Sequence, residues 1–165
     1  MAVFTTLSGP EIAQVLDSYS IGELADYRAI SEGIENTNYF VDTIKENQTQ
    51  HWVLTLFENI DPLELPYFCI LTQHLQSDGF DVPAPLAREL GGSTFEINGK
   101  HGVIVPRLVG GSLSTPMPAD CALVGGWLAR MHSSLLNFSP KRPLVRDLAW
   151  MSEHYAVLRN SLSAQ

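Results

Sequence analysis

GIENTNYFV, Gly33 to Val41, is the stretch on which the fold turns. Its end, Tyr39-Phe40-Val41, has the aromatic and β-branched side chains of a strand. Ahead of it stand Gly33 and the run Asn36-Thr37-Asn38, residues that favour turns and compete for backbone hydrogen bonds. A polar corner directly before a strand needs a purpose, and its neighbours supply the context.

Downstream, Thr37 to Ile44 is strand-like, Lys45 to Gln50 is a polar run, and His51-Trp52-Val53-Leu54-Thr55-Leu56-Phe57 is strand-like again, so a β-hairpin is expected. Trp52, Leu54 and Leu56 share one face of the second strand and Val53, Thr55 and Phe57 the other, which predicts a central strand covered on both sides. Upstream, Ser8-Gly9-Pro10-Glu11 reads as a capping box opening a short helix with Ile12, Val15 and Leu16 on one stripe. A first strand follows near Leu24 to Ile30.

After Asp61-Pro62 a helix runs through about Ser77, with Leu65, Phe68, Leu71 or Thr72, and Leu75 on one side. Asp61, Pro62 and Glu64 fit its first turn, yet Pro66 would delete a helical hydrogen bond; either that turn is separate or the helix proper begins at Pro66. Gly79 stops it, and Val82-Pro83-Ala84-Pro85 is extended. Two turn signals between Glu89 and Lys100 flank a short alternating segment. His101 to Leu108 is the next strand, with Pro106 suited to its end. Val109 to Pro118 has the composition of a linker. Beyond it, Leu123, Val124, Trp127, Leu128 and Met131 recur at helical spacing, and a second amphipathic segment covers Leu148 to Ser161. Trp52, Leu54, Leu56, Phe68, Leu71 and Leu75 are the expected core.

The chain has 165 residues, 18 acidic and 10 basic, for a formal charge of -8. That balance repels a polyphosphate backbone, so nucleic acid is not an expected partner. Cys69 and Cys121 read as ordinary buried thiols in a reducing compartment. The opening MAVFTTLSGP lacks the charged and apolar regions of a signal peptide, and no window has the roughly 20 apolar residues of a membrane span; cytoplasmic residence is expected.

The order of elements, an antiparallel sheet with one long helix inserted after the third strand and then a glycine-containing connector into helices, is that of a protein-kinase-like small lobe. In that arrangement a nucleotide lies under the turn between the first two strands and its adenine meets the connector's backbone. The polar corner then becomes a phosphate cover, with inward amides and short donors. The wording carries the resemblance further: GIENTNYFV, WVLTLFE (Trp52 to Glu58), LPYF (Leu65 to Phe68), HLQSDGFDVPAP (His74 to Pro85) and LVGGWLARMH (Leu123 to His132), followed by a phenylalanine and Arg142, resemble bacterial homoserine kinases of the aminoglycoside-phosphotransferase-like superfamily.

That resemblance implies an α+β chain: a kinase-like small lobe with a mainly antiparallel five-stranded sheet over 1–109, a hinge over 110–118, and the incomplete start of a helical acceptor-side lobe over 119–165. It implies ATP and Mg²⁺ as cofactors and L-homoserine as the acceptor, on the route to threonine. By position the phosphate-covering turn falls on Gly33, Asn36, Thr37 and Asn38. The place of a phosphate-binding lysine or arginine in the third strand falls on Thr55, whose hydroxyl brings no charge. The acidic residue of the inserted helix falls on Glu64, without a lysine partner from that strand, and the adenine-facing connector on Pro106, Leu108 and Val109. Lys45 and Lys100 are assigned to turns.

No catalytic or metal-binding residue is assigned within the chain. The superfamily's histidine-x-aspartate loop and later metal-binding aspartate have no counterpart among His132, Asp147 and His154. The expectation is a complete protein that phosphorylates homoserine and a 165-residue chain inactive alone. An exposed lobe face would favour self-association. The alternatives are a non-catalytic nucleotide-binding or protein-interaction module, and a kinase for choline or an amino sugar.

Overall fold

The computed structural model describes residues 3–144 and 146–162; the outer bounds of the expected domains, Met1 and Gln165, lie outside them. Helix α1 (Gly9–Leu16) starts at the expected capping box: the Glu11 carboxylate accepts from the Ser8 amide at 2.7 Å and from the Ser8 hydroxyl at 2.6 Å. With a further hydrogen bond from Asn98, the largest influence, these contacts hold the Glu11 carboxyl down at about 2.

Strands β1 (Glu23–Ile30), β2 (Asn36–Lys45), β3 (Gln48–Phe57), β4 (Thr94–Ile97) and β5 (Lys100–Pro106) form one sheet in the order β1-β2-β3-β5-β4, antiparallel at every pairing. The β2–β3 hairpin is tighter than the polar run suggests. Only Glu46 and Asn47 leave the ladder, at φ 51° and 63°, because a primed turn matches the strands' twist with two residues. Gln48, Thr49 and Gln50 therefore belong to β3. Asn98 and Gly99 make the same kind of turn before β5, so Lys100 is a strand residue, and Lys45 is the last residue of β2. β5 ends at Pro106, short of Leu108.

Both faces of β3 are covered, by different elements. On one side Leu54 and Leu56, each 0% exposed, pack with Tyr39, Val41, Phe95 and Ile104 under Ile12, Val15 and Leu16 of α1. On the other, Cys69 packs against Val103 and Val105, flanked by Val53 and Phe57. Gly102 lets β4 close on β5, since a Cβ there would run into the Phe95 ring and the Thr55 carbonyl.

A separate 3₁₀ turn over Pro62–Glu64, capped by Asp61 Oδ1 accepting from the Leu63 amide at 2.9 Å, precedes helix α2 (Leu65–Ser77). Pro66 thus sits in the first turn of α2, where no N–H is needed. α2 buries Leu65, Cys69 and Leu75, whereas Phe68 and Leu71, expected in the core, are half-buried. The burial stripe follows Leu65 and Cys69 at i and i+4, and this leaves Phe68 beside the Arg142 guanidinium, 5.0 Å over its ring.

Residues 107–117 have no regular structure, and helices α3 (Pro118–Ser134) and α4 (Leu148–Leu162) follow. Cys121 is exposed on α3, against expectation, because that helix surface is uncovered around it; Leu123 and Val124 beside it are exposed too. α3 meets the sheet-bearing part near its C-terminal half: Trp127 lies edge-on to Phe80 at 5.5 Å, and Ser134 O lies 3.2 Å from His74 Nε2. Among the described residues no helix is long and apolar enough to cross a membrane.

Candidate functional site

The period-two pleat of β2 sorts the opening motif onto two faces. Asn36, Asn38 and Phe40 pair with Phe57, Thr55 and Val53, which puts them on the α2 side of the sheet, while Thr37, Tyr39 and Val41 pair with Leu56, Leu54 and Trp52 on the α1 side. Asn36-Thr37-Asn38 is accordingly not a turn but the start of β2, because its backbone is already in the ladder. The corner proper spans 31–35, with Gly33 at φ 122°, a conformation that favours glycine.

Asn38 and Thr55 are tied together on the α2 face. The Thr55 hydroxyl donates to Asn38 Oδ1 at 2.7 Å, and Asn38 Nδ2 donates to the Asn36 carbonyl at 3.3 Å. Thr37 does not join them. Its side chain, 0% exposed, accepts from the Phe4 and Thr5 amides at 2.9 and 3.1 Å and donates to Glu58 at 2.7 Å, so it binds the N-terminal segment to the back of the sheet. Burial pushes the Glu58 carboxyl up, but hydrogen bonds from Thr37, Thr5 and Lys100 and the charge of Lys100 outweigh it and leave the group below the usual carboxylate range. Neither lysine near the sheet is turned to the cleft: Lys100 Nζ lies 3.0 Å from Glu58, and Lys45 donates to the Ser20 carbonyl at 2.7 Å.

The corner stands at the end of β3 and the connector beside its middle, five residues away, since Asn36 pairs with Phe57 and Pro106 with Trp52. At ~3.3 Å per residue that separation is about 17 Å, of the order of an extended adenine nucleotide. At the connector end, Arg107 donates its amide to the His51 carbonyl at 3.1 Å, and its guanidinium covers the Phe40 ring at 4.1 Å, with Arg28 at 4.8 Å. Leu108 and Val109 are exposed, and their backbones make no hydrogen bond to another described residue, which leaves donors and acceptors for a flat heterocycle.

At the corner end opens a cleft of about 760 Å³, lined among others by Asn36, Phe57, Asp61, Glu64, Arg142 and Arg146. Glu64 closes the 3₁₀ turn before α2, and its Oε2 accepts from Arg142 Nη2 at 2.7 Å and Nε at 3.2 Å. The partner that β3 does not provide for Glu64 therefore comes from the segment after α3. Asn36 and Glu64 share this cleft, Asn38 and Thr55 lie next along the same face, and Pro106, Leu108 and Val109 lie at the far end. Among the described residues no group of three or more His, Cys, Asp or Glu is placed to hold a metal ion. Sequence reasoning missed Arg142 and Arg146 as cleft residues, although Arg142 stood within the recognised wording; a basic residue far along the chain carries no local sign of which cleft it enters.

Known proteins agree with this architecture. A model of the phosphotransferase enzyme family matches residues 26–163. The chain is 42% identical over 153 residues to homoserine kinase of Ralstonia pickettii (strain 12J), covering 93% of this chain and 46% of that protein. It is 41% identical over all 165 residues to homoserine kinase of Cupriavidus pinatubonensis, of which it covers 50%. The chain thus spans about half the length of the curated relatives it matches. Among solved structures, spectinomycin phosphotransferase in complex with ADP and spectinomycin is similar with a TM-score of 0.65 at 11% identity, over 88% of this chain and 45% of that one. The likeness extends to the fold, a protein-kinase-like one, with the five-stranded antiparallel sheet described above. On the extent of the matched region, the chain belongs to the phosphotransferase enzyme family.

Proposed function

We propose that this chain is the ATP-side half of a cytoplasmic small-molecule kinase whose acceptor is L-homoserine, giving O-phospho-L-homoserine on the route to threonine. The observation that carries the reading is the 41–42% identity to homoserine kinases over 93% or more of the chain. The geometry is in keeping with it. Adenine would lie against the backbone at Pro106, Leu108 and Val109, and the phosphates would run along Asn38 and Thr55 toward Asn36 and Gly33. Residues 1–109 act as the nucleotide-side lobe, 110–118 as a hinge, and 119–165 as the start of the acceptor-side lobe.

Transfer to an alcohol needs charge neutralisation around the moving phosphoryl group and a group that orients the hydroxyl. Mg²⁺ supplies the first in such chemistry. The described residues do not gather a group of three or more His, Cys, Asp or Glu to hold it. What these residues do is bind and orient the nucleotide, which acts on ground-state affinity more than on the transition state.

A coupled ADP-release assay with ATP, Mg²⁺ and L-homoserine, run on purified Met1 to Gln165 and on the longest reading frame that contains it, tests this. Homoserine-dependent turnover is expected from the longer product alone. Robust turnover by the 165-residue chain, or a longer product that prefers choline or an amino sugar, would overturn it.

A further inference from the structure

We propose that Arg142 is a phosphate-binding residue for the nucleotide, replacing from the following segment the cation that β3 lacks. The inference rests on the ATP-side reading above and adds to it the group that receives the phosphate charge. In β3 the cleft-facing position is Thr55, which is neutral and already donates its hydroxyl to Asn38. Lys45 and Lys100 are engaged elsewhere, with the Ser20 carbonyl and with Glu58. At the corner end a polyphosphate would therefore meet amides and hydroxyls of the sheet, whose cation on this face, Arg28, stands over the Phe40 ring beside the connector.

Arg142 supplies one. It lines the corner-end cleft together with Asn36 and Phe57, residues of the sheet, and with Arg146. It is held there on two sides: Glu64 Oε2 takes Nη2 and Nε at 2.7 and 3.2 Å, and the Phe68 ring lies 5.0 Å below the guanidinium carbon. A carboxylate that engages one edge of a planar fork leaves the remaining N–H donors fixed in direction, the arrangement that suits a phosphate's oxygens. Its side chain is 29% exposed, so it is reachable by a ligand yet partly desolvated. Glu64 neutralises Arg142 in the absence of ligand, and Arg146 adds a second guanidinium to a wall that Glu35 and Asp61 also line; it stands 5.8 Å from the Trp150 ring. Glu64 is then a positioning residue, acting on the nucleotide through Arg142.

The test is a titration of ATP and of adenosine against folded chain and its Arg142→Ala, Arg142→Lys and Glu64→Gln variants, with circular dichroism and thermal melting as fold controls. Arg142→Ala is expected to weaken ATP binding about tenfold or more, a change of about 1.4 kcal/mol, while adenosine binding stays the same. Arg142→Lys should fall between, keeping charge without the fork, and Glu64→Gln should weaken ATP less than Arg142→Ala does. Unchanged ATP affinity in folded Arg142→Ala, an equal loss for adenosine, or wild-type binding that does not depend on the phosphates would overturn the proposal. Kinetics of the longest reading frame separate the anion sources: a raised homoserine KM with an unchanged ATP KM would assign Arg142 to the acceptor's carboxylate and overturn it too. A longer product that binds ATP through Arg142 but ignores homoserine would sink the substrate reading and leave this inference standing.

Discussion

Asn38 does two jobs at once in the half-buried space between β2 and β3. Its Oδ1 accepts the Thr55 hydroxyl and its Nδ2 returns to the Asn36 carbonyl, so the side chain stiffens the strand edge over which phosphates would lie. In the longest reading frame, Asn38→Ala is expected to raise the ATP KM or lower kcat about tenfold, around 1.4 kcal/mol, because the Thr55 hydroxyl loses its partner and the corner loosens. Steady-state kinetics on a variant with an unaltered melting curve check it; unchanged constants would reduce the side chain to a structural role. The composition of Asn36-Thr37-Asn38 was legible as special from sequence. Its division was not, since the period-two rule assigns opposite faces but only the packing of α1 and the N-terminal segment says which face is closed. That packing is what turns Thr37 away from the cleft and into a buried anchor.

The elements were legible where their periodicity was strong. β3 alternates without interruption, and its two faces meet two different layers, α1 on one and α2 on the other. Leu54 is the side chain on which the α1 layer closes, and Leu54→Ala is expected to cost about 2 to 5 kcal/mol by chemical denaturation, at the upper part of that range if the site does not collapse. A loss below 1 kcal/mol would contradict the packing described. α2 was harder. Leu65, Phe68, Leu71 and Leu75 satisfy an i, i+3, i+4 pattern, and so do Leu65, Cys69 and Thr72; a mixed helix of this kind offers two stripes, and the tertiary neighbours choose. The choice matters to the site, because it leaves Phe68 to support Arg142. The start of α2 shows the same limit: Pro62 and Pro66 each suit a first turn, and the chain uses both, one in a 3₁₀ turn and one in the helix.

Taken as a whole molecule, the chain is well packed through β5 and open beyond it. Leu123, Val124, Tyr155 and Leu158 are exposed on α3 and α4, the sort of apolar surface that favours association in solution. Order of elements and the recognised wording made the fold readable from sequence, since strand and helix periodicity and turn chemistry are recorded locally in the chain. The Glu64–Arg142 pair, separated by 78 positions, was not, because nothing local records it. On the function proposed above, a nucleotide lies along the α2 face of the sheet, from the connector to the corner at Gly33. Amide hydrogen exchange of the chain with and without ATP measures this directly. Protection is predicted at 31–38 and at 107–110, with α1 and its face unaffected; protection confined to the α1 side, or none in either segment at saturating ATP, would contradict it.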